Sequence, residues 1–234
     1  MDADQYVVVD VDEAEHERLL ASQVALTDAA RQLVDATIRT QVGAEELDAV
    51  RAELDALVAR LRTSQLPGSY GVSLTSGGTF RNYGNAVVGK RNAVAPPLEV
   101  ERDPAGRAWS HFALGAAYEG PPGLVHGGVT ALILDQIAGE AAAAGGTPGM
   151  TGQLNLRYER PTPLGPLSVE AWVDRREGYK TWVKGEMRDA EGQATVTCEG
   201  LFILPRWARE LVDEETKARY QRTGAGDAPG TPGD

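Results

Sequence analysis

Four strand-like runs crowd the second half of the chain: Gln153 to Arg160, Leu167 to Arg175, Lys180 to Asp189, and Ala194 to Leu204. The turns between them, Pro161 to Pro166, Glu177-Gly178 and Asp189 to Gly192, are too short for the crossover that parallel neighbours need. The strands are therefore antiparallel. In one of them Leu167, Val169, Ala171 and Val173 alternate with Ser168, Glu170, Trp172 and Asp174, the pattern of a sheet covered on one face. One apolar helix precedes these strands, in "GPPGLVHGGVTALILDQIAGEAAAA" (residues 120–144), and Leu98 to Arg102 and Arg107 to Tyr118 read as a hairpin turned at Asp103 to Gly106. One helix against a curved antiparallel sheet is an α+β layer architecture.

The first quarter of the chain is different. Residues 12–40 read as a helix, Gly43 breaks it, and a second helix runs from Ala44 to Arg62. In the second, Leu47, Val50, Leu54, Leu57 and Leu61 form an apolar stripe about two heptads long, too short to assign a coiled coil. The expected domains are an N-terminal helical extension (1–66), a main domain (67–205), and a short helix with a disordered Gly- and Pro-rich tail (206–234).

Of the net charge of −11, most belongs to residues 1–66, which hold 14 acidic and 6 basic side chains. That balance argues against nucleic acid as a partner. No window approaches ~18 apolar residues, so no membrane span is expected. A single cysteine, Cys198, and three scattered histidines (His16, His111, His126) give neither a disulfide nor a metal-binding spacing. The reading is a cytoplasmic protein without a cofactor.

Two catalytic motifs fail. Gly84 to Lys90 has phosphate-loop spacing, but Arg91 stands where a Ser or Thr is needed, and Pro96-Pro97 leaves no room for a helix. No Gly-x-Ser-x-Gly elbow exists. The segment around His126 survives. Gly127 and Gly128 open a helix, where backbone N–H groups at the positive end of the dipole can polarise a carbonyl. The same glycines could instead only let the helix pack closely on the sheet. Asp135 is a lone carboxylate among Leu132, Ile133, Leu134 and Ile137, nine residues after His126. That interval is ~13 Å along the axis and on the opposite face, so one helix cannot bring both residues to a small substrate. A two-fold dimer can. Gly128, Ala131, Ala138, Gly139 and Ala142 are small and leave room for a partner or ligand. Thr151 supplies a hydroxyl that either orients a water or hydrogen-bonds a turn.

The runs "GPPGLVHGGVTALILDQ", "LNLRYERPTPLGPLSVEAWV" and "CEGLFILP" resemble the hotdog-fold thioesterase superfamily, in its PaaI-type acyl-CoA thioesterases and the related eukaryotic members. The resemblance covers about residues 85–205. It implies a long helix wrapped by an antiparallel sheet, and a homodimer or dimer of dimers with active sites at the subunit interface. It further implies hydrolysis of an acyl-CoA, with His126 as an orienting group, the N–H of Gly127 (Gly128 adjacent) polarising the carbonyl, Asp135 as base or nucleophile, and Thr151 positioning water. Arg157, Arg160, Arg176 and Lys180 are candidates for holding coenzyme A phosphates. Two rivals stand beside this reading. One is a hydroxyacyl dehydratase using Glu140, although His-Phe-Pro is replaced by His-Gly-Gly. The other is a hotdog protein that binds acyl-CoA without turnover.

Overall fold

The computed structural model describes residues 6–9, 12–75, 80–209 and 224–225. By internal packing the chain divides into a unit of residues 5–93 and a unit from residue 94 onward. The compact unit that holds the expected N-terminal extension runs on to residue 93. Strand β1 (Tyr6–Val9) pairs in parallel with β2 (Val72–Thr75), and β2 pairs antiparallel with β3 (Phe80–Arg81). This small sheet ties residues 72–75 and 80–81 to the N-terminal segment.

In the first unit, helix α1 (Glu13–Arg39) is capped by Asp12, whose side chain accepts from the Glu15 N–H. Its inner face meets the loop at 82–92. His16 stacks on Tyr83, with Nε2 3.2 Å from the Tyr83 hydroxyl, and Arg31 donates to the Asn92 carbonyl. Helix α2 (Ala44–Arg62) follows after Gly43. Residues 84–92 are turns, in which the Asn85 side chain accepts from the Val87 and Val88 N–H groups. No helix follows the Gly84–Lys90 near-match.

The second unit consists of β4 (Glu101–Asp103), β5 (Arg107–Leu114), α3 (Gly127–Ala144), β6 (Met150–Tyr158), β7 (Gly165–Glu177), β8 (Lys180–Arg188), β9 (Ala194–Ile203) and β10 (Gly224–Ala225). The sheet order is β4-β5-β7-β8-β9-β6, with β10 beside β7, and every neighbouring pair is antiparallel. The short turns required this. Strand β4 is shorter than expected because the Leu98 N–H turns back to the Pro96 carbonyl and delays pairing to Glu101. Beyond Gly115, residues 116–118 form a 3-10 turn rather than more strand. At the C-terminus a 3-10 turn spans Arg206–Ala208, and Gly224–Ala225 pair with Arg175–Arg176. The rest of the tail expected to be disordered lies outside the described residues.

Leu167, Val169, Ala171 and Val173 are all buried, as their alternation predicts, together with Val183, Met187, Val196 and Phe202 from β8 and β9. They cover α3, whose Ile133, Leu134, Ile137, Ala138, Ala141 and Ala142 are fully buried. Each large apolar side chain so buried stabilises by about 1.5–3 kcal/mol, which fixes the helix to the sheet. Its C-terminal end is pinned by Arg176, which donates to the Gly145 carbonyl and, through Nε, to Thr147 Oγ1. Gly106 (φ 93°) closes the β4–β5 hairpin where a side chain would lie 2.8 Å from Val173 Cγ2. Among the described residues no helix is long and apolar enough to cross a membrane.

Candidate active site

The loop that delivers the chain to α3 is a tight hairpin. The Gly120 N–H bonds to the Leu124 carbonyl, Gly123 takes φ 73°, and the Gly123 N–H is held by the Glu119 carboxylate at 2.7 Å. The Val125 N–H then bonds to the Thr162 carbonyl and the His126 N–H to the Tyr118 carbonyl. Gly120 allows this closure, since a side chain there would lie 2.8 Å from His126 Cα.

His126 is the N-cap of α3. Its Nδ1 accepts the Gly128 N–H at 3.0 Å, and its carbonyl accepts the N–H groups of Val129 and Thr130. A neutral ring therefore carries its proton on Nε2. The expectation of two open glycine donors is corrected here: the Gly128 N–H is engaged. The Gly127 N–H alone in this turn has no partner among the described residues. Replacing His126 by Ala removes the cap and should cost about 1 kcal/mol of stability, while Asn, which also caps, should keep most of it; thermal melting of the two variants checks this.

Tyr158, which the sequence reading missed, completes this end of the helix. Its hydroxyl donates to the Gly127 carbonyl at 3.0 Å, and the same oxygen accepts from Thr130 Oγ1 at 2.8 Å. The Gly127–Gly128 peptide is thus held at both its C=O and its N–H. The N–H of the preceding peptide, that of Gly127, has no acceptor among the described residues. The ring of Tyr158 also packs on Gly127, where a Cβ would lie 3.3 Å from it.

The second cluster lies further along α3. Asp135 is half-buried, and Thr151 Oγ1 donates to its Oδ1 at 2.8 Å. The sheet explains how Thr151 comes to face the helix. Leu154, Leu156 and Tyr158 pair with Gly200, Cys198 and Val196, so strict alternation would turn Thr151 outward. The register shifts between Thr151 and Gln153, placing Thr151 opposite the buried Phe202 and on the helix side. One bulge thereby re-aims one hydroxyl. Edge strand β6 carries both hydroxyls, Thr151 to Asp135 and Tyr158 to Gly127.

Asp135 also touches the chemistry of Cys198. That thiol is pushed up to about 12, first by burial and then by the charges of Asp135 and Glu199. It stays protonated at neutral pH and is no nucleophile.

Asp135 follows Gly127 by eight residues, or ~12 Å of axis, so the two clusters stand apart on one chain. Not every small residue expected to admit a partner does so. Ala138 and Ala142 are buried against the chain's own sheet, and Gly139 makes room for the Phe202 ring. Gly128 and Leu132 remain exposed on the Asp135 side of the helix. Of the basic candidates, Arg157 pairs with Glu159 at 3.1 Å and flanks Tyr158. Arg160 is exposed at the same end, whereas Arg176 and Lys180 lie at the opposite end, by the C-terminus of α3. Glu140 is tied to Arg102 at 2.8 Å and to Gln136 at 2.8 Å.

A family model described as the thioesterase superfamily matches residues 122–196, a span that includes His126, Gly127, Asp135, Thr151 and Tyr158. The chain is similar to a crystal structure of protein RHA08564, a thioesterase superfamily protein, at 39% identity and a TM-score of 0.70, covering 77% of this chain and 94% of that one. The chain belongs to the thioesterase superfamily. Its second unit has the hotdog fold of that family. It is also similar to the acyl-coenzyme A thioesterase THEM4 of Mus musculus (34% identity, 42% of this chain and 43% of the relative) and of Xenopus laevis (36% identity, 39% and 42%). The chain thus spans less than half the length of these curated relatives. The family match begins at Pro122, so α1 and α2 lie outside it.

Proposed function

We propose that this chain is an acyl-CoA thioesterase acting at sites shared by two copies. The observation that carries the reading is the Gly127 N–H, left open at the positive end of α3 while its neighbours are engaged. In a two-fold dimer the Gly127 of one copy faces the Asp135 and Thr151 of the other. The thioester carbonyl accepts the Gly127 N–H. Thr151 orients a water beside the free oxygen of Asp135, which takes a proton as the water oxygen attacks the carbonyl carbon. The oxyanion gains most from the Gly127 donor, because its charge is greatest there. Collapse expels the coenzyme A thiolate, and the proton held on Asp135 restores the thiol. His126 acts through the fold, capping α3 and fixing the peptide that follows Gly127.

Arg160 and Lys180, exposed and without an ion pair among the described residues, are the leading phosphate ligands. Arg157 shares its charge with Glu159, and Arg176 is occupied at the helix C-terminus. The dehydratase reading loses its acid, since Glu140 is held by Arg102 and Gln136. A buried, protonated lone cysteine suits a reducing compartment such as the cytoplasm. The test is thiol release from a panel of short, long and aryl acyl-CoAs. Turnover is expected with at least one class; binding of the panel without thiol release would favour the non-catalytic reading instead.

A further inference from the structure

Helix α2 is exposed along its whole length, Leu54 apart. No residue of its 19 is buried, no side chain caps its N-terminus, and no helix or strand of the described chain packs along it. An isolated helix of this length is marginal in water. Yet it carries an apolar stripe at heptad spacing, with Leu47, Val50, Leu57, Val58 and Leu61 each 37–55% exposed and Leu54 at the centre. By contrast α1 has an inner face occupied by Tyr83 and Asn92. The stripe on α2 is built to be covered.

We propose that α2 pairs antiparallel with α2 of a second copy, about a two-fold axis at Leu54. Apart from Leu57, which falls level with Arg51, the stripe is symmetric about that residue. Leu47 then meets Leu61, Val50 meets Val58, and Leu54 meets itself. The charges choose the direction. Glu45 and Glu46 lie in the first turn and Arg60 and Arg62 in the last. Antiparallel pairing brings the acidic first turn of one helix level with the basic last turn of the other, and opposes the two helix dipoles favourably. Parallel pairing would stack acidic turns on acidic turns and basic on basic. The acidic residues left near the middle, Glu53 and Asp55, are offset by Arg51, which lies 3.6 Å from Asp55. Because two heptads associate weakly alone, this contact adds to other contacts between copies rather than replacing them.

Cysteine cross-linking of the full-length protein tests the pairing. The native Cys198 is buried and its thiol pushed up to about 12, so an introduced surface cysteine is the one that reacts. Leu47→Cys, Leu54→Cys and Leu61→Cys alter exposed or half-buried positions, and melting temperatures matching wild type establish that each folds. Treated with a short bismaleimide at low protein concentration, Leu54→Cys is expected to give covalent dimers. Leu47→Cys or Leu61→Cys alone should not, since antiparallel pairing separates like positions at the stripe ends by ~21 Å. An equal mixture of those two variants, after subunit exchange, should cross-link. Self-cross-linking of Leu47→Cys as readily as Leu54→Cys would overturn the antiparallel arrangement. Absence of dimers from Leu54→Cys would overturn self-pairing and leave the stripe to another occupant.

Discussion

Asp135→Asn is expected to lower kcat for thioester hydrolysis by about 10³, the middle of the range for loss of a positioned general base. The argument lies in what the substitution preserves. Thr151 Oγ1 donates to Asp135 Oδ1, and an amide oxygen in the same place still accepts that bond, without the added strength of a charge. Shape, burial and the link between α3 and β6 are retained, so the melting temperature should stay near that of wild type. Only the charge and the basic oxygen disappear. Loss of activity accompanied by a large drop in melting temperature would mean instead that the carboxylate holds the fold. Unchanged activity would remove Asp135 from the mechanism.

The second large effect is expected from Gly127→Pro. Proline is normally a poor test of a helix, but the first helical position is where it fits, because the N–H it removes bonds within no helix. His126, the preceding residue, has φ −62° and ψ 131°, the extended conformation that a following proline requires. The substitution thus deletes one donor, the one assigned to the oxyanion, with little disturbance elsewhere. kcat should fall by about 10²–10³ with a small change in KM, as for loss of an oxyanion-hole donor. Gly127→Ala is the matched control. It keeps the N–H, and its new Cβ meets only the exposed Tyr158 ring, which can give way. Kinetics on both variants decide the matter: equal activity of the Pro and Ala variants would show that the Gly127 N–H takes no part.

Strand alternation, short turns and one apolar helix were enough to read the α+β architecture, because each depends on local sequence alone. The residues of the proposed site could be singled out for a related reason. His126, Gly127 and Asp135 lie within ten residues, and helical geometry relates them without any knowledge of the sheet. What escaped depended on pairing. Tyr158 is one of several tyrosines until the β6 register puts it on the same side as Leu154 and Leu156, with the end of the strand at the helix start. The bulge at Gly152 has no signature beyond a glycine in a strand, yet it decides which way Thr151 faces. The engagement of the Gly128 N–H by His126 Nδ1 follows from a side-chain torsion that spacing cannot supply. The first unit runs on past residue 66 because β1 reaches across more than sixty residues to β2, and nothing local announces that partner.

The central claim is that each site takes Gly127 from one copy and Asp135 from another, and subunit complementation tests it most directly. Asp135→Asn and Gly127→Pro, each inactive alone, are co-expressed with different tags and allowed to assemble at random. Half of the dimers are then mixed, and each mixed dimer rebuilds one intact site from the two undamaged halves, so activity should return to about a quarter of the wild-type value. If the mixture stays as inactive as its components while mixed dimers are isolated through both tags, the site lies within one chain and the shared arrangement is wrong.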